Sequence, residues 1–411
     1  MKIETYNPDR DRDAVFRILG EVGWMDKTNE SQARGQDAIM DAGKACVRRI
    51  DGDAECMVVC VPGHIRYLAE DLPFSAVAGV ITSRVARKQG LAGRLTAHSV
   101  AREAKEGSLV SGLAFFEQGF YDRVGFGTGP YEHWIGFDPT LLNVPFPSRP
   151  PKRFTTDDYD RMHQSRLNST REHGYVTFPD PKMTHKDQCD PRKGFGLGYV
   201  DETTNEITHH LWVKEKGEHG PYQVSWLAYR SPEEFIELMG VIRSLGDQVR
   251  MVSMTQPANI QIQDLLNGPL QNRMTTHKSR FETFLKSNAY WQNRINDLPA
   301  CLAQTHLSGP TTQFNLELTD PIDDFLEPDE TWKSTTGEYT ITLGEESQAI
   351  PGTDLSLPTM KTTTPCFTRL WLGCQPPTGL AYTDKLDAPP NLLKQLDTTL
   401  NLPTPDRYWD F

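Results

Sequence analysis

The chain has 411 residues, more than one ordinary hydrophobic core accommodates, so we expect two or three domains. Its formal net charge of −12 argues against a nucleic-acid-binding protein, because duplex binding requires clustered Lys and Arg. Hydrophobic residues make up 37% of the sequence, enough to form folded cores, and no apolar run reaches the length of a membrane span.

The N-terminal residues and the cysteines bear on location and on metal binding. Met1 to Tyr6 lack the apolar stretch of a signal peptide, so we expect a cytoplasmic protein. The seven cysteines form no CxxC pair and no regular spacing, which favours neither a disulfide framework nor a zinc site. We therefore expect no metal, and we expect Cys56 and Cys60, in an apolar strand, to be buried thiols.

The first 140 residues predict an α/β domain with a mixed sheet. In chain order the predicted elements are helices within 11–47, strands at 54–62 and 76–83 joined by a loop that contains Pro73, a helix from Gly90 to Lys105 closed by Gly107, a strand at 109–115 and a short helix that ends at Gly125.

A segment with four prolines, 143–151, predicts an extended linker to a second domain at 151–288. Strands are predicted at 196–200, 208–213 and 223–228, followed by a helix that Ser231 caps. A third domain, of α+β type, is predicted at 291–411. Its predicted elements are strands at 337–343 and 368–372 and a helix at 390–399.

The clearest chemical signal lies between the strand at 76–83 and the helix that follows it. Arg87-Lys88-Gln89-Gly90-Leu91-Ala92 fits the R-x-x-G-x-G/A pattern of acyl-CoA-binding loops. Small residues allow a diphosphate to approach the backbone, and the free amides of a helix start bind that anion. The alternative is a basic helix start on an ordinary surface.

A second signal follows one strand later, in Phe120-Tyr121-Asp-Arg-Val-Gly125-Phe126. When an amine attacks a thioester, the leaving thiolate needs a proton, and a tyrosine hydroxyl within hydrogen-bond reach can supply it. Tyr121 is therefore a candidate general acid. The alternative is a packed aromatic side chain without a chemical role.

Together these two motifs resemble the GNAT superfamily of N-acetyltransferases, over about residues 1–140. The whole sequence is similar to a narrower group, the Eis (enhanced intracellular survival) family, through Phe120–Gly127, Trp291–Pro299 and the tail that ends in Phe411. This resemblance implies two GNAT-like mixed-sheet domains, the second degenerate, followed by an α+β sterol-carrier-like domain. It also implies a homo-oligomer, possibly a hexameric ring.

The resemblance further implies acetyl-CoA as co-substrate, Tyr121 as general acid and the α-carboxylate of Phe411 as general base. A frayed terminus is the alternative for Phe411. Backbone amides of Ile81, Thr82 and Ser83 would polarise the thioester carbonyl. One departure from the family pattern is Gln89, which replaces a basic residue.

The resemblance implies that the acceptor amine binds in an acidic cleft, onto which Asp26 and Asp410 map, with Trp24 as a wall. Solvated surface carboxylates are the alternative. The sequence leaves the acceptor amine open among aminoglycosides, polyamines, small metabolic amines and protein lysines. A rival interpretation is a lipid-binding protein whose GNAT domains are relics.

Three other patterns are given no function. Gly194-Phe-Gly-Leu-Gly198 precedes a strand rather than a helix, unlike a phosphate-binding loop. His209 and His210 are adjacent in a strand, so their rings point to opposite faces and cannot share a metal. The sequence has no G-x-S-x-G motif, which argues against an α/β-hydrolase.

Overall fold

A computed structural model of the chain describes residues 3–26, 28–114, 119–190 and 192–411. The described α-helices are α1 Pro8–Glu21, α2 Glu30–Ala42, α3 Leu91–Lys105, α4 Tyr159–Leu167, α5 Lys182–Gln188, α6 Pro232–Ser244, α7 Pro269–Thr276, α8 Leu298–Ala303, α9 Thr364–Trp371, α10 Pro377–Thr383 and α11 Pro390–Thr399. In this part of the chain no helix is both long and apolar enough to cross a membrane.

The strands are β1 Glu4–Thr5, β2 Lys44–Ile50, β3 Asp53–Tyr67, β4 Glu70–Thr82, β5 Val110–Ala114, β6 Gly127–Thr128, β7 Glu132–Phe137, β8 Lys152–Phe154, β9 Val176–Thr177, β10 Gly194–Val200, β11 Ile207–Lys214, β12 Tyr222–Ala228, β13 Val252–Thr255, β14 Phe284–Asn288, β15 Trp291–Ile295, β16 Thr312–Thr319, β17 Gly337–Leu343, β18 Gln348–Pro351, β19 Thr359–Thr363 and β20 Leu386–Asp387. They form sheets of eight, seven and five strands. The predicted α/β class, with several mixed sheets, is confirmed.

The first sheet has the order β1-β2-β3-β4-β5-β15-β6, and β9 pairs with β3. β3 and β4 form a long antiparallel hairpin that turns at Leu68. The predicted loop at Pro73 is wrong, because Pro73 lies inside β4 opposite His64. Leu72 and Phe74 on either side of it are buried, whereas Pro73 is exposed. The burial of these two side chains favours the strand more than the missing N–H of Pro73 disfavours it.

β4 and β5 are parallel and pair over only three residues, Phe74–Ala76 with Val110–Gly112. Just beyond, the pairing of β4 with β3 shifts and leaves Ala78 unpaired, as in a β-bulge. β4 continues to Thr82 without further pairing to the described part of β5. The two strands therefore diverge and leave a gap at their carboxyl ends, where α/β sheets commonly bind ligands.

The second sheet has the order β14-β7-β13-β12-β11-β10-β8. β12 and β13 are also parallel and pair only at Tyr222–Gln223 with Val252–Ser253. α6 follows β12 as predicted, and the Ser231 hydroxyl accepts a hydrogen bond from the Glu234 N–H. The second sheet thus contains a diverging strand pair like that of the first.

Three strands pair across the domain boundaries suggested by the sequence. β9 lies in the predicted second domain but pairs with β3 of the first sheet. β7 lies within 1–140 but belongs to the second sheet, and β15 begins the predicted third domain but lies between β5 and β6 of the first sheet. The predicted boundaries therefore do not separate the hydrogen-bonded sheets.

The third sheet has the order β18-β17-β16-β19-β20 and packs against helices of the last hundred residues. The predicted strand at 368–372 is wrong, because α9 spans Thr364–Trp371. In this helix Cys366, Phe367, Leu370 and Trp371 are buried. Their spacing of one and four residues is that of a helix face rather than of a strand.

A buried ion pair joins β15 to the third sheet. The Arg294 guanidinium lies 2.8 Å from an Asp320 carboxylate oxygen, and both side chains are inaccessible to solvent. Arg294 also donates to the Val124 carbonyl at 2.7 Å, and Asp320 accepts from the Thr335 hydroxyl at 3.0 Å. Additional partners of this kind offset the desolvation of both charges.

Candidate active site

A cavity of about 300 Å³ opens where β4 and β5 diverge, and we call it the β4 cavity. β3 and β4 form one wall, and helices α1, α2 and α5 close the other side. Its lining comprises Leu19, Trp24, Gln36, Ile39, Met57, Val59, Val77, Ala78, Gly79, Val80, Ile81, Ala114, Tyr121, Lys186, Tyr290 and Phe411.

The predicted acyl-CoA loop lies between the end of β4 and the start of α3. Arg87, Lys88 and Gln89 are exposed, and Leu91 and Ala92 begin the helix. Gly90 has φ +73° and precedes the helix in the left-handed conformation that favours glycine.

The start of α3 has chemical groups suited to an anion. The first amides of a helix have no acceptor within it, and the helix dipole is positive at this end. Arg87 and Lys88 add positive charge, while the Gln89 side-chain amide donates to the Val85 carbonyl at 3.0 Å. The loop can therefore hold a diphosphate with backbone amides and two cationic side chains.

The end of β4 presents only part of the expected carbonyl-binding segment to the cavity. Ile81 lines the cavity, whereas the Thr82 hydroxyl contacts the Cys56 sulfur at 3.3 Å. The Ser83 N–H donates to the Glu55 carbonyl at 2.9 Å. The Ser83 amide is thus engaged in the fold.

Tyr121 begins a 3-10 helix that ends at Gly125, as the sequence predicts for a short helix. It is 8% exposed, lines the β4 cavity and packs edge-on against the rings of Phe120 and Phe126. Burial raises the pKa of its hydroxyl to about 12. Tyr121 therefore keeps its proton at neutral pH and can donate it.

Phe411 also lines the β4 cavity. Its ring lies 5.6 Å from the rings of Phe74 and Phe178, and the residue is 7% exposed. The preceding Trp409 is fully buried, with the Arg166 guanidinium 3.6 Å from the centre of one of its rings. The end of the sequence is thus packed into the protein.

Residues 404–411, which we call the C-terminal segment, also contact the second sheet. Tyr408 stacks on Tyr175 at 4.8 Å, and its hydroxyl donates to the Leu227 carbonyl of β12 at 2.9 Å. This contact lies beyond the short pairing of β12 and β13. The C-terminal segment therefore lies beside the gap of the second sheet and ends at that of the first.

The predicted substrate residues fall in different places. Trp24 lines the β4 cavity and is 46% exposed. Asp26 is exposed and accepts hydrogen bonds from the Thr28 N–H and hydroxyl, outside that lining. Asp410 lines a second cavity of about 120 Å³ and lies 3.0 Å from Arg407. Glu117, a further candidate base, lies outside the described residues.

The structure therefore brings Trp24, Ile81, Tyr121 and Phe411 together and places the two predicted carboxylates elsewhere. Sequence reasoning missed Lys186, which reaches the cavity from α5 in the predicted second domain. Its sequence surroundings carry no motif, and its position depends on the packing of α5 against α2.

Residues 5–129 match the family model of an acetyltransferase (GNAT) domain. The curated proteins contain no match. Similar solved structures include a conserved protein of unknown function from Enterococcus faecalis V583, with 16% identity, TM-score 0.78 and 99% of each chain covered.

Two further solved structures have the same fold along the chain. A GCN5-related N-acetyltransferase from Kribbella flavida has 16% identity and TM-score 0.74, with 99% of this chain and 98% of that chain covered. Eis1 from Mycobacterium abscessus has 13% identity and TM-score 0.75, with 100% of each chain covered. At these identities the likeness concerns the fold, and the match to the acetyltransferase (GNAT) domain covers residues 5–129 of this chain.

Proposed function

We propose that the protein transfers an acetyl group from acetyl-CoA to a primary amine. The observation that carries this proposal is that Tyr121 and Phe411, almost three hundred positions apart in the sequence, line one cavity at the gap between β4 and β5. A proton donor and the residue proposed as the base thus meet beside a site suited to a thioester.

The loop and the gap account for acetyl-CoA binding in this proposal. Backbone amides at the start of α3 bind the diphosphate, with charge from Arg87 and Lys88. The pantetheine arm follows the edge of β4 beyond Ala76, where no described strand pairs on the β5 side and the peptide groups can bond to its amides. This path leads the thioester from the loop to the β4 cavity.

In the transfer step the amine nitrogen attacks the thioester carbonyl and the carbon–sulfur bond breaks. Tyr121 gives its hydroxyl proton to the leaving thiolate. With Phe411 as the last residue, its α-carboxylate accepts the proton that the amine loses. An acceptor that arrives as an ammonium group first loses one proton to solvent through the same carboxylate, so that a neutral nitrogen attacks. After the transfer Phe411 releases the second proton to solvent, and Tyr121 regains its proton from solvent.

The second sheet is proposed to bind no acetyl-CoA. The helix that follows β12, α6, is not preceded by a glycine loop of the R-x-x-G-x-A type, and the C-terminal segment contacts Leu227 at the gap of this sheet. Its role in the proposal is to hold the C-terminal segment in place.

The predicted third domain, residues 291–411, is proposed as a sterol-carrier-like scaffold rather than as a lipid carrier. Its core is filled by fully buried side chains, which supports this choice: Phe314, Leu316, Ile341, Met360, Leu370 and Trp371. A hexameric assembly and a cytoplasmic location remain predictions, and light scattering would measure the assembly.

Two measurements test the proposed function. Titration calorimetry should give one acetyl-CoA site per chain, and a thiol-release assay with an amine panel should give amine-dependent CoA formation. Absence of binding, two equivalent sites, or thiol release independent of amine would contradict the proposal.

A further inference from the structure

The β4 cavity is lined largely by apolar side chains. Leu19, Met57 and Val59 are almost completely buried and form its floor. Two aromatic residues, Trp24 at 46% and Tyr290 at 41% exposure, border it on the solvent side. Such a surface favours a ligand with an apolar or aromatic body.

The charged side chains of the cavity lining also bear on the ligand. Among the described lining residues, Lys186 carries the only charged side chain, and Gln36 adds a neutral polar group. A carboxylate oxygen of Asp187 lies 3.5 Å from the Lys186 ammonium nitrogen. Asp187 also pairs with the buried Arg166 at 3.2 Å, which draws its charge away from the cavity.

The carboxylates that would attract a polycation lie outside this lining. Asp26 is held in an exposed turn by Thr28, and Asp410 pairs with Arg407 at the second cavity. The α-carboxylate of Phe411 suits one ammonium group. Each additional positive charge on an acceptor would face the Lys186 ammonium, because the Asp187 carboxylate beside it is shared with Arg166 and no described residue of the cavity lining carries a carboxylate side chain.

We infer that the acceptor is a primary amine with a single positive charge on an apolar or aromatic body, and that Lys186 disfavours polyamines and aminoglycosides. This inference rests on the proposed acetyl transfer and narrows its acceptor. It excludes the polyamines and aminoglycosides that the sequence left open as acceptors.

The test compares 2-phenylethylamine with spermidine in the thiol-release assay at saturating acetyl-CoA. We expect kcat/KM for 2-phenylethylamine to exceed that for spermidine by about ten-fold or more. Lys186→Glu should raise kcat/KM for spermidine about ten-fold, mainly through a lower KM, and change it little for 2-phenylethylamine.

Lys182→Glu is the matched control, because Lys182 lies on the same helix, pairs with Asp41 at 3.3 Å and is outside the cavity lining. It should leave both acceptors unchanged. Acetyl-CoA affinity by calorimetry checks that each variant is folded, and Lys186→Gln, with an intermediate effect expected, replaces Lys186→Glu if the latter misfolds.

Higher kcat/KM for spermidine than for 2-phenylethylamine in the unmodified protein would overturn the inference and leave the proposed function intact. Equal effects of Lys186→Glu and Lys182→Glu would remove Lys186 as a specificity residue. Loss of the proposed function has a different signature: no acetyl-CoA binding, or no amine-dependent thiol release from any acceptor.

Discussion

At the scale of single residues, Tyr121 offers the most direct test of the chemistry. Tyr121→Phe removes the hydroxyl and keeps the ring between Phe120 and Phe126. We expect kcat to fall by about 10²–10⁴-fold, because a general acid contributes about that much. Acetyl-CoA affinity, measured by calorimetry, should stay nearly constant. An unaltered kcat in the thiol-release assay would exclude Tyr121 as the acid.

His173 links stability to pH. Its Nδ1 accepts from the Leu68 N–H at 3.1 Å, and its Nε2–H donates to the Leu372 carbonyl at 3.0 Å, so the fold uses the neutral ring. Burial lowers the pKa of His173 from 6.5 to about 4. Between these two pH values His173 is protonated in the unfolded chain and neutral in the folded protein.

This contribution to stability is therefore complete above pH 6.5 and is lost as the pH falls toward 4. We expect a lower free energy of unfolding at about pH 5 than at about pH 7.5 in urea titrations. The difference should shrink in His173→Gln and persist in His64→Gln, which alters an exposed histidine. An unchanged difference in His173→Gln would show that His173 does not contribute.

At the scale of secondary-structure elements, the Arg294–Asp320 ion pair joins β15 to the third sheet. Asp320→Ala leaves a buried guanidinium without its counter-charge, which typically costs about 3–5 kcal/mol. We expect a loss of this size in the free energy of unfolding. Glu317→Ala breaks an exposed pair with Lys361 and should have little effect. An equal loss of unfolding free energy in Asp320→Ala and Glu317→Ala would show that the buried pair stabilises the protein no more than the exposed one.

Local signals predicted several elements well. α3 begins after Gly90 and ends before Gly107, and α6 begins at its predicted Ser231 cap. Such elements are specified by neighbouring residues, so the sequence alone suffices to place them. By contrast, α9 was predicted as a strand because a five-residue window is too short to separate alternation from helical spacing.

Long-range packing could not be predicted in the same way. The place of β15 between β5 and β6 depends on partners remote in the sequence, and no local pattern encodes that register. The approach of Lys186 to the β4 cavity has the same origin, since α5 is held there by packing against α2, an element remote in the sequence. The motif residues of the site were therefore predictable from the sequence, whereas the position of Lys186 in its lining was not.

At the scale of the whole molecule, the C-terminal segment joins the two larger sheets. Residues appended after Phe411 would turn its α-carboxylate into an amide and displace a buried ring. We expect a C-terminal tag to lower kcat by roughly 10²-fold or more in the thiol-release assay, as for loss of a general base. An N-terminal tag is the control and should leave kcat unchanged.

Acetyl-CoA affinity should be the same in both tagged proteins, because the acyl-CoA loop lies apart from the C-terminal segment. Equal kcat values of the two proteins would show that the Phe411 carboxylate takes no part in the reaction.

The position of β15 also constrains the order in which the protein can fold during synthesis. β5 and β6 leave the ribosome early, yet the strand that pairs with both is made only after the whole second sheet. At roughly 5–20 residues per second, the edge of β5 waits many seconds for its partner. Unpaired strand edges template aggregation. The nascent first sheet is therefore an expected client of chaperones until residue 295 has emerged.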